Sequence, residues 1–503
     1  MLHAHLTLDP HFTVGPVNRR LFGSFVEHLG RCIYDGIYEP GHPSADGDGF
    51  REDVIALVKE LGVSAIRYPG GNFVSGYRWE DGVGPRSERP RRLDLAWHST
   101  ESNRVGLDEF AVWLKKVDSE LVYAVNLGTR GVQEALDVLE YANIRSGTRL
   151  SDMRVTNGHP EPHRISMWCL GNEMDGPWQL GHSSADEYGI LASKTAKAMH
   201  QVDGDLELVV CGSSSAQMPT FGSWERTVLE HTYDDVDYIS CHAYYEEKNG
   251  DLGSFLASAV NMDGFIESVV ATADHVKAVR RSGKTINISF DEWNVWYIDR
   301  YHGVDKVTGR DDWPEAPRLL EDVYSVADAV VFGSLLISLI RHADRVTSAS
   351  MAQLVNVIAP IMTEPNGPAW RQTTFFPFAE TSRLARGEAL TLKLTSDTYE
   401  TAEYGTVSVV DAVATHDAEA GVSAVFLVNR SQESSVVVTI DVRGLGAVEV
   451  TAARTLSDDD YYAKNSLADR ERVGLVDNDS VVVAPGTVTI TLPPVSWTAV
   501  SLG

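Results

Sequence analysis

Two short strings place carboxylates where chemistry could be done. Residues 168–178 read "WCLGNEMDGPW" and residues 285–293 read "TINISFDEW". In each, an apolar run leads directly into polar residues, Asn172 and Glu173 in the first, Asp291 and Glu292 in the second. Polar residues often end a strand because loops meet water, so one such glutamate means little. Two of them, each with indoles close in sequence (Trp168 and Trp178; Trp293 and Trp296), suit a facing pair of carboxylates. Such a pair serves glycoside hydrolysis. One carboxylate, ionised, attacks the anomeric carbon; the other, protonated, serves the leaving oxygen and then activates water. The acid needs apolar walls or a neighbouring negative charge, and the nucleophile needs hydrogen-bond donors. Arg67, Tyr244 and Asn172 are donors by chemistry. Which glutamate takes which role stays open on these grounds.

Facing carboxylates need a ring of strands to hold them. Eight strand-like runs lie between Leu21 and Arg371: 21–27, 64–69, 121–128, 165–173, 206–213, 236–244, 285–293 and 345–353. Helix-patterned stretches alternate with them, including "RVGLDEFAVWLKKV", "SADEYGILASKTAKAMHQV" with a capping box at Ser184 and Glu187, and the apolar "EDVYSVADAVVFGSLLISLIRHA". Eight alternating units predict an α/β fold, a (β/α)8 TIM barrel. Function in such a barrel gathers at the C-terminal ends of the strands. Those ends carry Glu27 and His28, Arg67 and Asn72, Asn126, Asn172 and Glu173, His242 and Tyr244, Asp291 and Glu292, and Gln353. After residue 378 the texture changes to short strand-like runs with frequent turn residues, which predicts an all-β sandwich, jelly-roll-like. The first fifteen residues are also strand-like. The expected division is a catalytic barrel over 16–377 and a sandwich built from 1–15 plus 378–503.

The 503-residue chain is ordinary in composition, 43% hydrophobic and 23% charged, and carries a net charge of −28. That field repels DNA and anionic membrane surfaces, so neither is an expected partner. No run approaches the roughly 18 apolar residues of a membrane span, and the N-terminus lacks a secretory signal pattern. Cys32, Cys169, Cys211 and Cys241 form no CxxC pair and read as reduced core thiols of a cytoplasmic protein. No metal or cofactor is expected. The acidic connection 297–322 lacks ligand spacing and reads as a shaper of the cleft or of a subunit contact. The loop 85–105, with five arginines, reads as a solvated cleft rim.

The strings "GNEMDGPWQLG", "DEWNVWY", "RYPGGNFVSGYRWEDGVGP", "GSFVEHLGRCIYDGIYEP" and "MAQLVNVIAPI" resemble the α-L-arabinofuranosidases of glycoside hydrolase family 51, in family order from Leu21 to about Pro377. The resemblance implies a retaining, exo-acting enzyme that removes terminal α-L-arabinofuranosyl groups from arabinoxylan- or arabinan-derived oligosaccharides. It implies Glu173 as general acid/base and Glu292 as nucleophile. Asn172 would bind the sugar 2-hydroxyl, Glu27 and Asn72 other hydroxyls, and Gln353 would close the pocket. Tyr244 would orient the nucleophile with His242 beside it, and Trp97 and Trp296 would be aromatic walls. Asp291 and Asp175 read as partners of these groups. The family also implies a homo-oligomer, a hexamer built as a trimer of dimers. A β-1,4-glycanase or β-xylosidase activity on the same barrel is the competing enzyme reading. A catalytically silent carbohydrate-binding protein is a third reading, disfavoured because both carboxylates are present.

Overall fold

The computed structural model describes residues 2–503. Eight strands close a barrel: β1 (Gly23–Phe25), β2 (Ala65–Tyr68), β3 (Glu120–Val125), β4 (Met167–Leu170), β5 (Glu207–Val210), β6 (Tyr238–Tyr245), β7 (Asn287–Val295) and β8 (Val346–Ala352). Every neighbouring pair is parallel and consecutive in sequence, with β8 closing on β1. These are the eight runs that the sequence predicts. They read as continuous apolar stretches because a parallel strand is covered on both faces, by barrel interior and by helices.

The predicted helices form over Leu107–Val117, Ala185–Val202 and Val326–Arg341. Ser184 caps the second, its hydroxyl accepting from the Glu187 N–H while the Glu187 carboxylate returns to the Ser184 N–H. In the third, every residue except Arg341 is buried. Ordinary barrel helices are amphipathic; this one is apolar all round because it has protein on both sides. One side faces the barrel and the other faces a sandwich sheet. Gly333 allows the closest approach, since a Cβ there would lie 2.2 Å from the Trp497 ring.

The sandwich consists of a five-stranded and a seven-stranded sheet. Strand Leu2–Thr7 pairs parallel with Val436–Asp441 and antiparallel with Lys393–Ser396, while Thr13–Pro16 pairs with Glu388–Leu390. Leu6, Val425, Val438 and Ile490 fill the space between the sheets. Helix Phe375–Leu384 runs across residues 377 and 378, so the first sandwich strand after the barrel begins at Glu388. Asp411 on the sandwich meets Arg341, Arg430 and Ser334 in a buried polar cluster at the junction. Among the described residues, no helix is long and apolar enough to cross a membrane.

Candidate active site

The C-terminal mouth of the barrel opens into a cavity of about 1330 Å³ lined by Glu27, Asn72, Trp97, Glu173, Tyr244, Glu292, Trp296 and Gln353. The backbone explains how the two glutamates arrive there. Side chains of a regular strand alternate between faces. In β7 the pairing register shifts on both sides near Phe290–Trp293. Such an irregularity re-aims a side chain. Phe290 and Trp293 pack outward on Phe265 and Phe332, and both residues between them, Asp291 and Glu292, point inward. Glu173 follows β4 after Gly171, which sits at φ +91°, and is itself at φ +44°, a left-handed conformation that residues other than glycine rarely adopt.

Inside, the groups form one network. Glu292 accepts from Arg67 Nη1 through Oε1 and from the Tyr244 hydroxyl through Oε2, both at 2.8 Å. Glu173 Oε1 meets His242 Nδ1 at 2.9 Å, and Oε2 accepts from the Trp178 indole N–H at 2.7 Å. His242 reaches on to Asp291 at 2.9 Å through Nε2. Arg67 also donates to Asn172 Oδ1, and the Asn172 amide donates to Asn72 Oδ1 at 3.3 Å. A carboxylate oxygen of Glu173 and one of Glu292 lie within 4.8 Å of each other.

Electrostatics follow from this packing. Burial pulls the His242 imidazolium down, but Glu292, Asp291 and Glu173 outweigh it and hold the ring protonated well above its ordinary value. Burial pushes Asp291 up, and Arg67 and His242 overcome it, leaving its carboxyl below the usual range. Glu292 is raised by burial, against the pull of His242 and Arg67 and with the push of Glu173. Burial likewise keeps the Tyr244 hydroxyl protonated and able to donate. Glu173, His242 and Glu292 are close enough to suggest a metal site. A metal would need a lone pair on His242, however, and both ring nitrogens face carboxylates at hydrogen-bond distance.

On the far wall, Glu27 accepts from the Phe73 N–H, the Trp97 indole and the Gln353 amide at 2.8, 2.9 and 3.1 Å. Burial dominates there and lifts the carboxyl to about 8. Asp94, which holds the Trp97 loop through the Ala96 and Trp97 N–H groups, is pushed by burial to about 7.

The structure brings all the expected residues together, at two depths. Glu27, Asn72, Trp97, Tyr244, Trp296 and Gln353 stand on the wall, Arg67 and His242 lie beneath the carboxylates, and Asn172 is buried beside the wall residue Asn72. Of the four tryptophans near the glutamates in sequence, Trp168 and Trp293 are wholly buried away from the cavity, and only Trp178 and Trp296 line it. Asp175 ties the β4 loop to the β5 loop by accepting from the Ser214 N–H and hydroxyl. The connection 297–322 lines the cavity with Ile298, Tyr301 and His302, and its Glu315 pairs with Arg91 and Arg104 of loop 85–105. Arg86 and Arg89 pair with Glu109 and Arg92 with Asp81, so these arginines serve carboxylates of this chain. Trp178, which the sequence offers only as a neighbour of Glu173, donates to its Oε2; the signal in the sequence is a position five residues past Glu173, across a Gly–Pro turn.

A barrel with two carboxylates facing across its C-terminal mouth defines the class, a glycoside hydrolase. Comparison with known proteins refines it. Residues 57–255 match the α-L-arabinofuranosidase 1 domain and residues 291–496 the α-L-arabinofuranosidase C-terminal domain. An intracellular exo-α-(1→5)-L-arabinofuranosidase of Streptomyces lividans is 60% identical over 99% of this chain and 75% of the relative. An exo-α-(1→6)-L-arabinofuranosidase of Bifidobacterium longum is 60% identical over 99% of this chain and 97% of the relative. The solved structure of a family 51 α-L-arabinofuranosidase from Bifidobacterium longum superposes with a TM-score of 0.96 at 50% identity, covering 100% of both chains. The chain belongs to glycoside hydrolase family 51, the α-L-arabinofuranosidases, and acts on arabinofuranosyl groups.

Proposed function

We propose that the protein removes terminal non-reducing α-L-arabinofuranosyl groups from arabinan- and arabinoxylan-derived oligosaccharides, with retention, by double displacement. The observation that carries this reading is that Glu173 and Glu292 face each other across His242, with one carboxylate oxygen of each within 4.8 Å of the other. Direct attack by a carboxylate needs the carboxyl groups about 5–5.5 Å apart, whereas a water between them needs about 6.5–9.5 Å. Glu292 is the nucleophile. Arg67 and Tyr244 aim it and neutralise it. Glu173 is the general acid/base. The buried set holds two cations, Arg67 and His242, and three carboxylates, Asp291, Glu173 and Glu292. One proton kept by the glutamate pair makes it neutral, which low dielectric favours, and that is the charge state in which one acid and one nucleophile coexist.

Asn172 keeps one amide hydrogen for the sugar 2-hydroxyl, a contact that strengthens as the oxocarbenium-like transition state forms. Glu27, Asn72 and Gln353 hold the other ring hydroxyls, and Trp97 and Trp296 wall the sugar. The closed wall formed by Glu27, Trp97 and Gln353 favours exo action. The relatives' names support arabino-oligosaccharides as substrates, and because they differ in linkage, the reading carries over the terminal sugar and not the bond position. Names that say intracellular support a cytoplasmic place of action, and the family resemblance supports a hexameric assembly.

The test is hydrolysis of p-nitrophenyl α-L-arabinofuranoside by wild type, Glu292→Ala and Glu173→Ala, with the β-xylopyranoside alongside. Wild type is expected to cleave the arabinofuranoside, with kcat lowered more than about 10⁴-fold in Glu292→Ala. Azide should restore Glu173→Ala and yield an arabinosyl azide of retained configuration. An inverted azide from that variant exchanges the roles, and activity on the β-xyloside alone moves the protein to the other reading.

A further inference from the structure

The cavity is larger than one terminal sugar requires. Its volume of about 1330 Å³ exceeds the roughly 300–1,000 Å³ of a pocket for a drug-sized ligand, and an arabinofuranosyl group is a single five-membered ring. The wall proposed for that ring, Glu27, Asn72, Trp97 and Gln353, belongs to the exits of β1, β2 and β8 and the loops after them. β6 stands across the barrel from β2, and the cavity continues past its end to Tyr245, Lys248 and Asn261. There the lining leaves the barrel. Glu403 and Tyr404 also line the cavity, and they come from the stretch between the sandwich strands Lys393–Ser396 and Val410–Asp417.

These two residues sit at the tip of a hairpin, Thr398–Thr401 with Gly405–Ser408, that belongs to neither sandwich sheet. A two-stranded hairpin alone is marginal in water, so what secures this one matters. The Tyr399 hydroxyl donates to the Gly253 carbonyl at 2.9 Å. The Ala402 and Glu403 N–H groups donate to the Ser254 hydroxyl oxygen at 3.1 and 3.2 Å, and that hydroxyl donates to Asp251 at 2.6 Å. Gly253, Ser254 and Asp251 all lie between β6 and the helix Ala259–Arg280. Backbone groups thus dock the tip on the barrel, and the Glu403 and Tyr404 side chains are left to the cavity. Burial, and then the Glu403 carboxylate, hold the Tyr404 hydroxyl protonated and able to donate. On the barrel side, Asn261 accepts from the Tyr245 hydroxyl at 3.1 Å through Oδ1, which leaves its amide hydrogens for a ligand. Joining two structural units would not call for a carboxylate, a phenol and an amide around open space.

We propose that the hairpin tip is a distal sugar subsite, in which Glu403, Tyr404 and Asn261 hold a residue of the oligosaccharide beyond the one that carries the terminal arabinosyl group. The ligand class is a neutral sugar. Glu403 accepts from one hydroxyl, the Tyr404 hydroxyl and the Asn261 amide donate to others, and the phenol ring offers its apolar face to the C–H face of the sugar. The sandwich then sets which chain lengths are preferred, while the barrel performs the chemistry. The inference rests on the exo-hydrolase reading above.

The experiment compares wild type with Glu403→Ala, Tyr404→Ala and Asn261→Asp on p-nitrophenyl α-L-arabinofuranoside, α-1,5-arabinobiose and α-1,5-arabinotetraose. The disaccharide ends one sugar past the scissile bond, and the tetrasaccharide extends further along the cavity. In wild type the KM for the tetrasaccharide should lie about fivefold or more below that for the disaccharide, as one or two net hydrogen bonds provide. Each variant should remove most of that advantage, raising KM on the tetrasaccharide about fivefold more than on the other two substrates. Asn261→Asp keeps the oxygen that Tyr245 needs and removes only the amide hydrogens, so it tests the subsite without touching the hairpin. Equal KM values for the disaccharide and the tetrasaccharide in wild type overturn the proposal. So do variants that lose all three substrates in parallel, as a loosened fold would, or that lose none. Wild type inactive on p-nitrophenyl α-L-arabinofuranoside would instead overturn the function on which it rests.

Discussion

Glu27 illustrates how far a single side chain's setting controls its chemistry. Its carboxyl accepts three hydrogen bonds, which favour ionisation, yet burial outweighs them and sets its proton affinity near 8. At neutral pH it is therefore an uncharged acid with a hydrogen to offer a sugar hydroxyl. As pH rises through about 8 it loses that hydrogen and adds a negative charge near Glu292. KM for an arabinofuranoside is expected to rise across that range in wild type, and in Glu27→Gln to be higher throughout but flat with pH. An equally steep rise in the Gln variant would assign the effect to another group. The sequence made the identity of the carboxylates legible, because Glu27, Glu173 and Glu292 each stand at the exit of a barrel strand. Depth was not legible. Nothing in "RYPGG" or "SCHAY" states that Arg67 and His242 lie under the carboxylates, because that depends on side chains from four other strands.

At the scale of the element, the strands and helices were readable from apolar runs and caps, whereas their irregularities were not. Two consecutive carboxylates at 291 and 292 look like one inward and one outward residue, and only the shifted pairing of β7 turns both inside. The loop after β4 is equally a product of distant backbone. Gly181, at φ +77°, would carry a Cβ 2.1 Å from the Gly128 carbonyl oxygen, so the loop bearing Trp178 is seated directly on the loop after β3. Gly181→Ala should cost about 1–3 kcal/mol through the left-handed conformation and the backbone clash. Thermal unfolding checks this. Because the same shift moves the loop after Glu173, kcat should fall in proportion more for poor leaving groups than for activated aryl ones.

The molecule as a whole is joined by a helix that belongs to both halves. Val326–Arg341 is buried by the barrel and the sandwich together, and its Arg341 meets Asp411 of the sandwich. Burial pushes the Asp411 carboxyl up, but Arg341, Arg430 and Ser334 overcome it and hold it below the ordinary carboxylate range. A carboxyl depressed on folding contributes stability that is present above its unfolded value, about 3.9, and is lost as pH falls through the folded value. The junction is thus expected to loosen only in strong acid. Asp411→Ala leaves Arg430 buried and uncompensated. It should destabilise by about 3 kcal/mol, the lower end for a buried pair because the Arg341 side chain is one-third exposed. Calorimetry should show one unfolding transition in wild type, and two in Asp411→Ala would mark the junction as the weak link. The change of texture near residue 378 revealed the second unit in the sequence. The shared helix did not announce itself, since an all-apolar helix reads the same whether one layer or two covers it.

In the proposed mechanism Glu292 forms a covalent bond to the sugar, and the configuration of a trapped product tests this most directly. Turnover of p-nitrophenyl α-L-arabinofuranoside in aqueous methanol lets methanol compete with water for the glycosyl-enzyme. The methyl arabinofuranoside so formed keeps its anomeric configuration for reading by proton NMR. Two displacements predict the methyl α-L-arabinofuranoside. The β anomer would contradict the mechanism and make the reaction a single displacement, with a water molecule ordinarily held between the two glutamates.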